Sequence, residues 1–190
     1  MEDRTSSSGS LMSSPARGVW PESATVQAVH RAYCVATWGP MLVLVWNGGV
    51  RGDRLGPVIA AARDNCRRHP EGGGFMLIVG PDTGLPDAAA RAEASRALTE
   101  LGGYIHSTAI VIEGEGFRVA TARSALSTMF FAAGKRVTMR VFKSLADATT
   151  WQAAAVHCDP PFSPDQYLKV VEEVRRTQAA HRESTPPIEY

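Results

Sequence analysis

FMLIVGPDTGLPDAAARAEA, residues 75–94, is the stretch that decides the fold. Phe75–Val79 is a run of five apolar residues with no polar alternate, the pattern of a central parallel strand buried on both faces. Gly80, Pro81 and Pro86 break the run, and Asp87 then stands where an N-cap belongs, ahead of a helix to about Leu101 that Gly102-Gly103 closes. A strand that feeds a helix through a short loop is half of a β-α-β unit. The loop itself carries Asp82-Thr83-Gly84-Leu85. Two readings of it stand: a structural turn built from Asp, Gly and Pro, or a regulatory loop whose Thr83 hydroxyl accepts a phosphate.

The flanking sequence repeats the alternation. Upstream, TVQAVHRAYCVAT (25–37) reads as an edge strand, a WGP break follows, and MLVLVW (41–46) reads as a buried strand paired with it in an antiparallel hairpin. Asp53 opens a helix whose Leu55, Val58, Ile59, Ala62 and Cys66 share one face. Downstream come a short strand, AIVI (109–112), a helix over about 117–133 closed by Gly134, and a strand, RVTMRVF (136–142). A helix capped by Ser144 comes next, and Ser163-Pro164 starts a last helix to about Ala180. The expected class is α/β: a mixed, mostly parallel sheet of about five strands with an N-terminal antiparallel hairpin and about four helices, plus one extra C-terminal helix. Residues 1–20, rich in Ser and Gly, read as a disordered tail, 21–158 as the domain, 162–183 as the C-terminal helix and 184–190 as a flexible end.

Bulk composition narrows the function classes. The 190 residues suffice for one domain with a real core, and 44% hydrophobic with 21% charged residues is ordinary for a globular chain. A net charge of +1 gives no global pull towards nucleic acid. Only Lys135, Lys143 and Lys169 among the 20 basic residues are lysines, which reads as the codon bias of a GC-rich genome. Three cysteines, Cys34, Cys66 and Cys158, without a CxxC, fit a reducing cytoplasm better than a disulfide framework. The longest apolar run is far too short to span a bilayer, and the acidic, Ser-rich start has no apolar core of a secretory signal.

The element order, VLVWNGGV leading into the first helix, and RVFKSLADATTW, where a Phe and a later Trp flank a small-residue turn, resemble the STAS fold of the anti-anti-sigma factors, especially its SpoIIAA-like branch. The resemblance covers about 130 residues. It implies a non-enzymatic bacterial regulator that works by protein–protein contact, with a kinase or anti-sigma-type regulator as partner. Switched members of the family carry Asp-Ser-Ser-Gly or Asp-Ser-Thr-Gly where the second helix begins. Asp82-Thr83-Gly84 is one residue short of that motif, and if Asp87 is aligned instead, Ala88 takes the acceptor position. SpoIIAA-like relatives commonly lack the switch.

Catalytic signatures are sparse. There is no Walker loop, no GxGxxG and no nucleophile elbow, and the five histidines show no metal-ligand spacing. His157-Cys158-Asp159 is the nearest thing to a cluster. The expectation is accordingly no catalytic residue, no metal and no cofactor. Charge is uneven: residues 71–115 carry a net −5 and residues 116–143 a net +6, a basic edge able to steer an acidic partner. On the 117–133 helix, Phe117, Ser124, Thr128 and Phe131 project away from the core face and form a candidate partner-docking surface. The last helix presents Tyr167, Val170, Val171 and Val174 as an apolar stripe that must be buried on the domain or on a second copy of the chain. An alternative of another class is a small apolar ligand or lipid-binding domain resembling CRAL-TRIO proteins. A pocket lined by Met76, Leu77, Met129 and Phe130 would mark it.

Overall fold

The computed structural model describes residues 20–114 and 138–185. Its sheet is built around MLVLVW. All six residues of that strand are buried, and period-two geometry sends them alternately to two faces. Met41, Val43 and Val45 join one core; Leu42, Leu44 and Trp46 join another. A strand apolar on both sides requires cover on both sides, so the protein is a three-layer α/β/α structure.

Six strands lie in sequence order: β1 (Thr25–His30), β2 (Tyr33–Trp38), β3 (Met41–Trp46), β4 (Gly73–Val79), β5 (Ile105–Ile112) and β6 (Thr138–Phe142). The pairs β1–β2 and β2–β3 are antiparallel, and β3–β4, β4–β5 and β5–β6 are parallel. The sheet is thus mixed and mostly parallel. The segment read as one edge strand over 25–37 is two strands, which makes six where about five were expected. The turn at Arg31-Ala32 has no Gly, Pro or Asn to announce it. It is held by tertiary bonds: Ala32 N–H donates to His30 Nδ1 at 3.0 Å, Asn47 N–H to Ala32 O at 2.7 Å, and Gln178 Nε2 to Arg31 O at 3.0 Å.

The helices are α1 (Gly56–Arg68), α2 (Ala88–Leu101), α3 (Leu145–Ala155) and α4 (Pro164–Ser184). Asp87, Ser144 and Ser163 cap α2, α3 and α4 through side-chain oxygens that accept from Ala90, Asp147 and Gln166 N–H, at 2.6, 3.3 and 3.4 Å. Asp53 does not open α1. It sits in a single 3₁₀ turn, Gly52–Arg54, and α1 starts at Gly56 with Pro57 in its first turn. Strand β4 begins two residues before the apolar run because Gly73 lets it approach β3: a Cβ there would stand 1.9 Å from Pro40 O. Strand β5 extends back to Ile105 through Ser107 and Thr108, both buried.

Helices α3 and α4 cover one face. Trp38 stacks on Tyr167 at 5.4 Å, Trp20 lies 4.4 Å from Trp38, and Phe162 meets Trp38 and Tyr167 edge-on. The apolar stripe of α4 is therefore spent on the chain's own sheet. Gln152, fully buried, ties the layers together. Its Nε2 donates to Phe75 O at 3.0 Å and lies 3.3 Å from Ser107 Oγ, and its Oε1 accepts from Tyr167 OH at 3.2 Å. Phe142 and Trp151, the aromatic pair flanking the small-residue turn, touch at 5.5 Å. Among the described residues no helix is long and apolar enough to cross a membrane. The helix expected over 117–133, with Phe117, Ser124, Thr128 and Phe131, lies outside the described residues, as do residues 1–19 and 186–190.

Gln152→Ala strands the Tyr167 hydroxyl and leaves a buried void. It is expected to lower the unfolding free energy by about 2–4 kcal/mol in urea titration, with a native-like fold below the transition.

Candidate functional site

The other face is filled differently. Its floor is Leu42, Leu44 and Trp46 of β3 with Phe75 and Leu77 of β4, and one wall is Val58, Ile59 and Ala62 of α1. Opposite stands α2, whose inward residues are Ala90, Ala94, Ala97, Leu98 and Leu101. Helix α2 is held at its ends. At its start, Asp87 N–H donates to Val50 O at 3.1 Å, and Gly52 admits the helix so closely that a Cβ there would meet Ala89 Cβ at 2.7 Å. At its end Leu101 is buried and Arg63 forks onto Glu100 at 2.8 and 2.7 Å. Between those anchors it rests on α1 and the 3₁₀ turn more than on the sheet. Alanine side chains do not reach across, and an apolar cavity of about 160 Å³ remains. Leu77, Ala94 and Leu98 are only half-buried, so the cavity communicates with the surface.

The loop 80–87 closes one end of this cavity, and Thr83, Gly84, Leu85 and Pro86 all line it. Thr83 is half-buried. Its Oγ1 donates to Trp46 O at 2.9 Å and its N–H donates to Gly80 O at 3.1 Å, so the hydroxyl is engaged in holding the loop to the end of β3. Asp82 faces the other way, exposed, with Arg182 Nη2 of α4 at 3.4 Å. Gly84 has open space around it. The three loop residues singled out from sequence are thus together, with Thr83 on the cavity side and ahead of the capping Asp87.

Met76 and Leu77 do not line one pocket. Adjacent strand residues point to opposite faces: Leu77 borders the cavity, while Met76 is buried against the layer of α3 and α4. Met129 and Phe130 lie outside the described residues. Sequence reading missed Trp46 as a wall residue and missed α2's alanines as the cause of the space. The signal was present in the run AAARAEASRAL, whose helical face is too small to fill what Leu42, Leu44 and Leu77 leave open.

The thiols are not poised for nucleophilic work. Burial pushes Cys34 up to about 11 and raises Cys66 and Cys158 as well, which leaves little thiolate at neutral pH. Beyond the loop lies a more polar groove of about 340 Å³, bordered by His30, Arg54, Asp82, His181 and Arg182. His30 is lowered from the ordinary imidazole value, first by burial, then by Arg54 and His181, with Asp53 opposing. No protein-family model, curated protein or solved structure matches the chain.

Protonating His30 also turns Nδ1 from acceptor to donor and breaks its bond to Ala32 N–H. The folded state binds this proton less readily than the unfolded chain, so His30's share of stability is present above the ordinary imidazole value and lost as pH falls below it. Stability measured between about pH 7 and pH 5 should fall more steeply for the parent protein than for His30→Asn, which keeps an acceptor without the titration.

Proposed function

We propose that this protein is a non-enzymatic binding domain for a small apolar ligand, of STAS- and CRAL-TRIO-like kind. The observation that carries the reading is the cavity between the sheet and α2, lined by aliphatic and aromatic carbon and roofed by the 80–87 loop. Ligand sites are concave and mostly apolar, and this one lies between the sheet face of β3 and β4 and the helices α1 and α2. Its volume matches that of a buried site known to take one benzene-sized molecule. The loop is the natural reporter of occupancy, because Thr83 and Leu85 belong to the cavity while Asp82 is paired with α4. Three unpaired cysteines agree with a reducing bacterial cytoplasm as the compartment.

A second reading is the docking of a protein partner, a kinase or anti-sigma-type regulator, in the manner of an anti-sigma-factor antagonist. It is favoured by Leu85, a large apolar side chain 58% exposed on that same loop. The two readings join if occupancy of the cavity sets the pose of Leu85.

Thermal denaturation with and without ethylbenzene tests the ligand reading. The parent protein is expected to gain stability as the probe saturates the cavity. Ala94→Leu, which places a side chain in the space, is expected to raise the melting temperature of the free protein and to abolish the gain. Unchanged melting of the parent over the full probe range would contradict the reading.

A further inference from the structure

In the groove beyond the 80–87 loop, cations outnumber carboxylates. Arg31, Arg54, Arg182, His30 and His181 border it, all half-buried, against Asp82, which is exposed. Arg182 takes Asp82 at 3.4 Å, and with His181 it also offsets the carbonyl end of α4. Among the described residues neither Arg31 nor Arg54 reaches a carboxylate, and Arg54 has only Gly49 O, 3.3 Å from Nη1. Asp53, close enough to act on His30, is tied to Arg51 at 3.3 Å. Other arginines are matched one to one: Arg63 holds Glu100, Arg67 holds Asp64 and Arg175 holds Glu113. Half-buried cations without counterions carry a cost that an anion in the groove removes.

The position suits a ligand. Asn47 and Gly48 directly follow the last residue of β3, and Asp82 comes shortly after the end of β4. Open α/β sheets take ligands outside the carboxyl ends of their parallel strands. His30 adds a neutral donor. Burial first, then Arg54 and His181, hold it below the ordinary imidazole value, and its Nδ1 accepts from Ala32 N–H at 3.0 Å. The neutral ring therefore carries its proton on Nε2. Asn47 brings no acceptor to the groove: its Oδ1 is sealed, without a partner among the described residues, so close to Gly80 that a Cβ there would collide with it.

We propose that this groove is a second binding site, for a small phosphomonoester, with Arg54 and His30 as its anchoring donors and Arg31, Arg182 and His181 completing the positive wall. Guanidinium forks suit carboxylates and phosphates alike, so the number of donors decides. Three guanidiniums and an imidazole N–H exceed what the two oxygens of a carboxylate use and suit the three terminal oxygens of a phosphate ester. The volume, about 340 Å³, lies at the small end of the roughly 300–1,000 Å³ usual for small-molecule pockets, which leaves room for a compact body beyond the phosphate. The site is independent of the apolar-ligand reading, because no residue lines both the groove and the cavity.

The test titrates the intact protein with glycerol 3-phosphate, inorganic phosphate and acetate at constant ionic strength, above the ester's second pKa of about 6, where it is a dianion. Affinity is read by calorimetry and the imidazole nitrogens by ¹H–¹⁵N spectra, with His30 assigned from its disappearance in His30→Asn. Both phosphates are expected to bind, with acetate about tenfold or more weaker. The His30 Nε2 resonance is expected to move while Nδ1 stays unprotonated. Arg54→Gln is expected to weaken the ester about tenfold, and Arg63→Gln, which removes an arginine already paired with Glu100, to leave it unchanged. No saturable binding of the ester, acetate binding as tightly as the ester, an unmoved His30, or equal loss in the two arginine variants would each overturn the proposal. The His30 shift is read in the parent protein, so the test survives a poorly folded variant.

Discussion

The structure turns on a mismatch of side-chain size between β3 and α2. Strand β3 is apolar on both faces and cannot stand without two covering layers. One layer meets it with Tyr167, Val170, Val171 and Val174; in the other, Val58 and Ile59 of α1 reach the sheet but α2 offers Ala90, Ala94 and Ala97. Because α2 is fixed at both ends, by Gly52 and Asp87 at one and by Leu101 at the other, its middle cannot sag onto the sheet to close the gap. A ligand that fills the space of about 160 Å³ restores packing that α2 leaves out.

The two faces thereby divide the labour. The face under α3 and α4 is closely filled by an aromatic cluster and by Gln152, whose bonds cross from helix to strand. It holds the sheet rigid. The face under α2 is loosely filled, and it is bordered by a loop with two prolines and two glycines and by a helix anchored at its ends. Thr83 is the latch between them. Its hydroxyl fastens the loop to Trp46 O. A molecule entering beneath the loop meets the latch and α2 together, and so has a route to Leu85 on the surface.

Much of the fold was legible in the sequence. The apolar run at 75–79, the Asp87 cap, the Ser163-Pro164 start of α4 and the mixed sheet followed from periodicity and turn chemistry. What escaped depended on tertiary contact. The turn at Arg31-Ala32 is made by bonds from His30, Asn47 and Gln178, distant in sequence or unmarked by type. The early start of β4 depends on Gly73 passing Pro40, and the length of β5 on burial of two polar residues. The cavity was not legible. Asp82, Thr83 and Gly84 stood out by residue type as a loop able to carry a phosphate, whereas the structure places Thr83 and Gly84 at the rim of an apolar space. Trp46 did not stand out, because an indole in an apolar strand looks like any core residue.

Xenon-pressurised crystal diffraction addresses the central claim directly, since xenon binds apolar cavities of this size without needing a polar partner. The account expects an anomalous peak among Leu44, Leu77, Ala94 and Leu98. Protein side chains filling that volume, with no xenon between the sheet and α2, would contradict it.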